Sequence, residues 1–342
     1  MFTTSSSQIS EAADMSIGIL YLAMFIFGTT GNILGFVWLW SVSPKKHNVL
    51  FFRNIYRMVN VVDCMICLSL VPEIESFLRS RSSILFEEPV FCKFWALKWE
   101  LLPPTSVFMV AVLSISRMIS VVRPLCQLNF MALKISMAVH FLVICIAMIA
   151  PLAIGLSDTS FLKTDVACSL EPVQNSFIPG NALIFIVELG LPIVPVIVSA
   201  VITTIYLGRA RKRSARASAS VKLHDKATKT VILVTLVYMV CNLPCFVNFV
   251  YYLYMFGEGR PEISFRDRYK TTFFRWYVWN LTYIFAVALN SSLNPLVYLV
   301  RMKQFRDFIL RVCNNVAVML RHLSGPGNPD EWTNWPGFVM KL

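Results

Sequence analysis

Asn290, Ser291, Ser292 and Asn294, followed by Pro295, stand in an apolar run from Trp276 to Val300 that carries no charge. Hydrolysis at such a place would need a nucleophile beside a base, or a metal. His140 is the only histidine in an apolar segment, and no Cys and His spacing resembles a zinc site. The chemistry left to these residues is the holding of charge and water. A proline in a spanning helix frees backbone carbonyls, tolerable only where neighbouring polar groups or water satisfy them. Asp63, in another apolar block, is the obvious centre. A carboxylate at that depth is expensive unless paired, so it is expected to face the interior of a helix bundle.

The elements that must position these groups are membrane helices. A chain of 342 residues with 56% hydrophobic and 15% charged residues, at a mean hydropathy of +0.64, is too apolar for ordinary soluble domains. About 20 apolar residues cross the hydrocarbon, and Ile17–Trp40, Ile135–Leu156, Thr230–Phe256 and Trp276–Val300 meet that length. Phe177–Leu207 does so with one acid, Glu188, and Met58–Val71 and Leu101–Ile115 are shorter candidates, which brings the spans to seven. Most of the 31 Lys and Arg residues fall around 41–57, 117–134 and 209–229 and in the tail. These are the cytoplasmic segments by the positive-inside rule. The amino terminus, polar and without the basic start of a cleaved signal, is therefore expected outside, with the first span as its own insertion signal. The net charge of +12 follows from topology and from attraction to anionic lipid, not from a nucleic-acid partner. Of nine cysteines, Cys92 and Cys168 fall on the oxidising side and can pair, whereas Cys64, Cys67, Cys145, Cys241 and Cys245 lie in apolar helix.

Across residues 16 to 313 these features resemble, in order and one per span, the rhodopsin-like (class A) G-protein-coupled receptors. Gly31 and Asn32 stand in the first span, Asp63 and Pro72 in the second, Cys92, Arg117 and Pro124 along and after the third. "CNLP" (Cys241 to Pro244) resembles the family's Cys-Trp-x-Pro, and "NPLVY" (Asn294 to Tyr298) is its Asn-Pro-x-x-Tyr, with Phe305 seven residues on. The resemblance implies an all-α bundle of seven transmembrane helices over 16–300. An extracellular tail over 1–15, a short amphipathic surface helix over 301–313 and a cytoplasmic tail over 314–342 would complete it, in the plasma membrane. It implies a Cys92–Cys168 disulfide and a receptor, not an enzyme, that binds an extracellular ligand and activates heterotrimeric G proteins. Outward movement of the sixth span would do so, with Arg117, Ser116, Tyr298, Pro295, Asn294 and Pro244 at the switch. It also implies a water pocket built from Asp63, Asn32, Ser106, Asn290, Ser291 and Asn294, which in the family often holds a sodium ion. These oxygens suit a hard monovalent cation, and a hydrated network without an ion is the other reading.

Two departures stand out. Ser116 replaces the aspartate that in the family holds the arginine by a charge-assisted hydrogen bond, and His224 fills the sixth-span position of a second acid, with Asp225 adjacent. Arg117 is therefore expected to be less restrained and basal signalling raised; a decoy or accessory receptor that does not couple is the competing reading. Asn242 stands where the family has a tryptophan beneath the ligand, which leaves Tyr238 as a candidate contact; Pro192 and Pro195 compete for the fifth-span proline.

Trp99 occupies the place of the monoamine-binding aspartate and Ala288 that of the retinal-binding lysine, so the ligand is neither a typical monoamine nor retinal. Trp99, Glu100, Glu188 and Asn242 are the candidate ligand pocket; Lys98 joins them or pairs locally. Phe305, Phe308, Ile309 and Val312 recur at helical spacing beside Arg301, Lys303, Arg306 and Arg311, an amphipathic helix on the membrane, with Cys313 at its end as a candidate for palmitate. Ser214, after Arg211, Lys212 and Arg213, resembles a target of basic-directed kinases or is an unmodified loop serine. A small-solute transporter would also use broken helices and an intramembrane acid, but the halves of the chain show no repeat.

Overall fold

The structure is a computed structural model that describes residues 3–41, 47–78, 89–123, 161–164, 167–170, 191–213, 232–244 and 265–324, with single positions at 135, 138, 139, 142, 229 and 247. It is a bundle of membrane helices. Helix α1 spans Thr3–Ser41, so most of the tail expected over 1–15 is helical. Its apolar side chains at Ile19, Leu22, Ile26, Ile33 and Trp40 remain exposed at steps of three, four and seven residues, a stripe for lipid. Three described helices, Asp14–Ser41, Leu101–Val122 and Leu281–Arg301, are long and apolar enough to cross a membrane, and Ile193–Arg209 and Ile232–Pro244 are shorter apolar helices.

The second span, expected from Met58, starts earlier. Helix α2 covers His47–Leu68, gives way to a turn at Ser69 and Leu70, and resumes as α3, Val71–Leu78. Arg53 and Arg57 depress the hydropathy of its first turns, yet both terminal nitrogens of Arg57 have partners. Its guanidinium donates to the Leu39 carbonyl at 2.9 Å, one of the orphan acceptors at the end of α1, and lies 4.6 Å from the Trp40 ring centroid. The break before Pro72 is also filled. Lys98 of α4 (Pro89–Val122) donates to the Ser69 carbonyl at 2.6 Å, with the Glu73 carboxylate acting on the same ammonium, so the local pairing expected as one alternative is present.

Strands β1 (Phe161–Thr164) and β2 (Ala167–Leu170) form an antiparallel hairpin with Lys163 opposite Cys168, the departure from an all-helical fold among the described residues. β2 packs on α4. Helix α5 covers Leu191–Arg213, with Pro192 in its first turn, where a missing N–H is harmless, and Pro195 inside it. Helix α6 is Ile232–Pro244, α7 is Phe265–Arg301 and α8 is Lys303–Ser324. The fourth span lies outside the described residues except Ile135, Ala138, Val139 and Leu142, all exposed on one helical face.

α1 packs against α2, α3, α7 and α8, and α4 packs against α2 and α5. Tyr21, Ile66, Leu70, Leu113 and Tyr298 are among the fully buried side chains of the core. The close approach of α1 rests on glycine: a Cβ at Gly31 would sit 2.6 Å from the Pro295 ring, and one at Gly28 would overlap the Cys67 sulfur. α8 does not stop at 313 but continues to Ser324, so Cys313 is an exposed mid-helix residue sharing a face with Val316 and Leu320. Arg306 donates to the carbonyls of Leu299 and Val300 at 3.2 and 2.8 Å, closing the end of α7.

Candidate functional site

Pro295 has no N–H, so the carbonyl four residues before it, that of Ser291, loses its helical donor. The Asn32 side-chain amide of α1 supplies the replacement at 3.1 Å and donates also to the Gly28 carbonyl at 2.9 Å. The polar residues that interrupt the seventh span are thus explained by geometry, not by exposure to water: Asn290, Ser291 and Asn294 are all buried.

Asp63 is fully buried in α2 and faces inward as expected. One carboxylate oxygen accepts from the Ser106 hydroxyl at 2.8 Å and the Ser291 hydroxyl at 3.0 Å, and the other from the Asn294 amide at 2.6 Å. Three helices, α2, α4 and α7, therefore meet on one carboxylate. The amide oxygens of Asn32 and Asn294 are buried with no partner among the described residues. Asn290 makes no bond to Asp63; it borders a water-sized cavity with Ser106, Ser291 and Asn242. Asn242, expected under a ligand, is thus placed at the edge of the aspartate cluster, its amide donating to the Tyr238 carbonyl at 2.9 Å. Pro244, by contrast, is exposed.

The second cluster surrounds Arg117 on α4. Ser116 is buried and offers no charge, as expected from the sequence, but the arginine is not loose. Its guanidinium carbon lies 3.6 Å from the centroid of the Phe52 ring, and the Tyr56 hydroxyl lies near enough to act on the same charge. Ser116 thus gives Arg117 no charged partner, while Phe52 and Tyr56 of α2 stand against it. Tyr56 meets Tyr298 edge-on at 5.7 Å, Tyr298 meets Phe305 at 6.2 Å, and Phe305 meets Trp38 at 5.3 Å, a continuous aromatic path from α2 through α7 and α8 to α1. On its other side Arg117 borders a water-sized cavity with Ser114, Ser199, Thr203 and Thr235. The sequence reading missed Phe52 and Tyr56. The signal that marks them is an aromatic pair four residues apart, each member directly before an arginine (Arg53 and Arg57), one helical face inside a basic segment that resembles a loop.

The remaining expected site residues are less fully described. The side chains of Trp99 and Glu100, and all of Glu188 and Ser214, lie outside the described residues, as do the side chains of Cys92 and Cys168.

The family described as 7 transmembrane receptor (rhodopsin family) matches residues 31–298, a stretch bounded by Gly31 and Tyr298 of the motifs above. Among solved structures, squid rhodopsin matches with a TM-score of 0.69 at 18% identity, covering 90% of this chain and 87% of its own. At that identity the likeness shows the fold. A search of curated protein sequences gave no match.

Proposed function

The chain belongs to the rhodopsin family of seven-transmembrane receptors, and from that premise we propose that it binds an extracellular ligand and activates heterotrimeric G proteins by outward movement of the sixth span, at the plasma membrane. The observation that carries this reading is the linkage of α2, α4 and α7 through Asp63, with Arg117 further along α4 towards the basic side of the molecule. A change in how α7 bends at Pro295 must disturb the bonds of Asn294 and Ser291 to Asp63, and so the packing of the helix that bears Arg117. The packing of β2 against α4 supports a bridge between Cys92 and Cys168 over the ligand entrance. The ligand is neither a typical monoamine nor retinal: Trp99 and a buried Ala288 stand at the two positions that would bind them.

The Asp63 cluster fits a sodium ion. Its donors are all oxygens, two of them unpartnered amide carbonyls, and a cation would offset the buried charge. Asp63, Ser106 and Ser291 would hold it, with Asn32 and Asn294 reached directly or through water. When bound, the ion supplies positive charge that favours the undisturbed bundle.

A screen of chemically diverse ligands against the receptor in lipid nanodiscs, read by nucleotide exchange on each class of purified G protein, tests the coupling. An active compound is expected to lose at least about tenfold of its effect in Arg117→Ala, as truncation of a charged contact costs a few kcal/mol. An effect that persists in Arg117→Ala, or compound uptake into vesicles without exchange, would sink the reading. Acyl exchange on membranes is expected to find a thioester at Cys313 that disappears in Cys313→Ser; an unmodified Cys313 would leave α8 held to lipid by its apolar face alone.

A further inference from the structure

We infer that Phe52 and Tyr56 are positioning residues that clamp Arg117 in place of the carboxylate missing at Ser116, and that this clamp sets the receptor's basal activity. The inference rests on the coupling reading above but is carried by different observations. Phe52 and Tyr56 are four residues apart on α2, both nearly buried, and present one aromatic surface to α4. A guanidinium 3.6 Å over a ring centroid is a face-on stack, well within the range in which cation–π attraction acts. Tyr56 places the dipole of its hydroxyl beside the same cation and is itself fixed edge-on against Tyr298.

Partial burial makes the clamp effective: Arg117 is half-buried, with its Nε shielded from water. A cation partly withdrawn from water is held more firmly by its neighbours, and the Arg117 Nε has no partner among the described residues, so the stack and the phenol carry the restraint. The bracing of Tyr298 against Phe305, which in turn meets Trp38, means the clamp loosens when α7 shifts, which ties the arginine to the segment around Asn294 and Pro295 without an acidic residue. Release has a destination. Ser114 of α4 and Thr235 of α6 line the cavity beside Arg117, and their buried hydroxyls have no partner among the described residues. These are the acceptors open to the guanidinium once it leaves Phe52.

The test uses the full chain in nanodiscs, with Cys313→Ser in all samples and spin labels on Arg123→Cys and Lys229→Cys, at exposed positions following α4 and preceding α6. Phe52→Leu and Tyr56→Phe are expected to raise basal nucleotide exchange about threefold or more and to lengthen the interlabel distance. Tyr56→Phe keeps the ring against Tyr298, so a folding defect does not mimic the result. Ser116→Asp is expected to reverse both effects on the Tyr56→Phe background and to change less on the wild type, the non-additivity of two restraints on one group. Unchanged distances in both aromatic variants, or no reversal by Ser116→Asp, overturn the clamp. Longer distances with no nucleotide exchange in any variant support the clamp and remove the coupling reading instead.

Discussion

Asp63→Ala is expected to unfold with about 2–5 kcal/mol less stability than the wild type, while Asp63→Asn falls within about 1 kcal/mol of it, and both lose any stabilisation by sodium. The difference follows from donors and acceptors. Alanine strands the Ser106 and Ser291 hydroxyls and the Asn294 amide, each of which now donates to the carboxylate at 2.6–3.0 Å. Buried donors left without a partner cost about 1–3 kcal/mol each, less where membrane neighbours substitute, and removal of a buried charge returns part of this. Asparagine keeps one acceptor for the two hydroxyls. Its new amide would oppose the Asn294 amide, but Asn294 can turn its unpartnered oxygen to meet it. What asparagine cannot keep is the negative charge that a cation needs. Thermal unfolding in sodium chloride against choline chloride at equal ionic strength separates the two roles. A wild-type receptor indifferent to that exchange of salts has no sodium site, and an Asp63→Ala variant as stable as the wild type would mean that the carboxylate does not join the helices.

The second large effect is expected at Gly31. In Gly31→Ala the new methyl group would lie 2.6 and 2.8 Å from two carbons of the Pro295 ring. A proline ring inside a helix has no rotamer into which to retreat, so α1 must move away. Overpacking of this kind costs about 1–3 kcal/mol, and here the movement also draws Asn32 off the Ser291 carbonyl, 3.1 Å away in the native packing. Gly208 on α5 is the control: a Cβ there meets nothing within 4 Å, and alanine in an exposed helical position stabilises by up to about 1 kcal/mol. Surface abundance and melting temperature are expected to fall for Gly31→Ala and to hold or rise for Gly208→Ala. Equal melting of the two variants would show that α1 is not seated through its glycines.

The polar heart of the bundle was legible in the amino-acid sequence because its components violate their surroundings. Asp63, Asn32, Asn294 and Pro295 in apolar runs are tolerable only where polar partners meet them: Asn294 donates to Asp63, and Asn32 to the Ser291 carbonyl that Pro295 leaves without its helical donor. Charge asymmetry and apolar length located the spans but not their ends. Arg53 and Arg57 hid the first turns of α2, since a window average cannot see that Arg57 caps α1 and lies over Trp40. The partners of Arg117 were hidden for a related reason. An aromatic residue beside a cation leaves no trace in hydropathy, and the loss of a charged partner at Ser116 was visible while its replacement on another helix was not. Asn242 shows the reverse case, a departure plain in the sequence whose meaning depended on which cavity it borders.

The bond between Asn32 and the Ser291 carbonyl joins positions 259 residues apart. During synthesis the helix that holds the donor enters the bilayer first, and the helix with the gap at Pro295 enters last. Until they meet, an unsatisfied carbonyl is exposed to hydrocarbon or to a passing water, so the final span is the one most dependent on its predecessors and on chaperones of the membrane. A full-length chain that lacks the Asn32 amide would therefore betray itself at the opposite end, where quality control meets a seventh helix that no neighbour has completed.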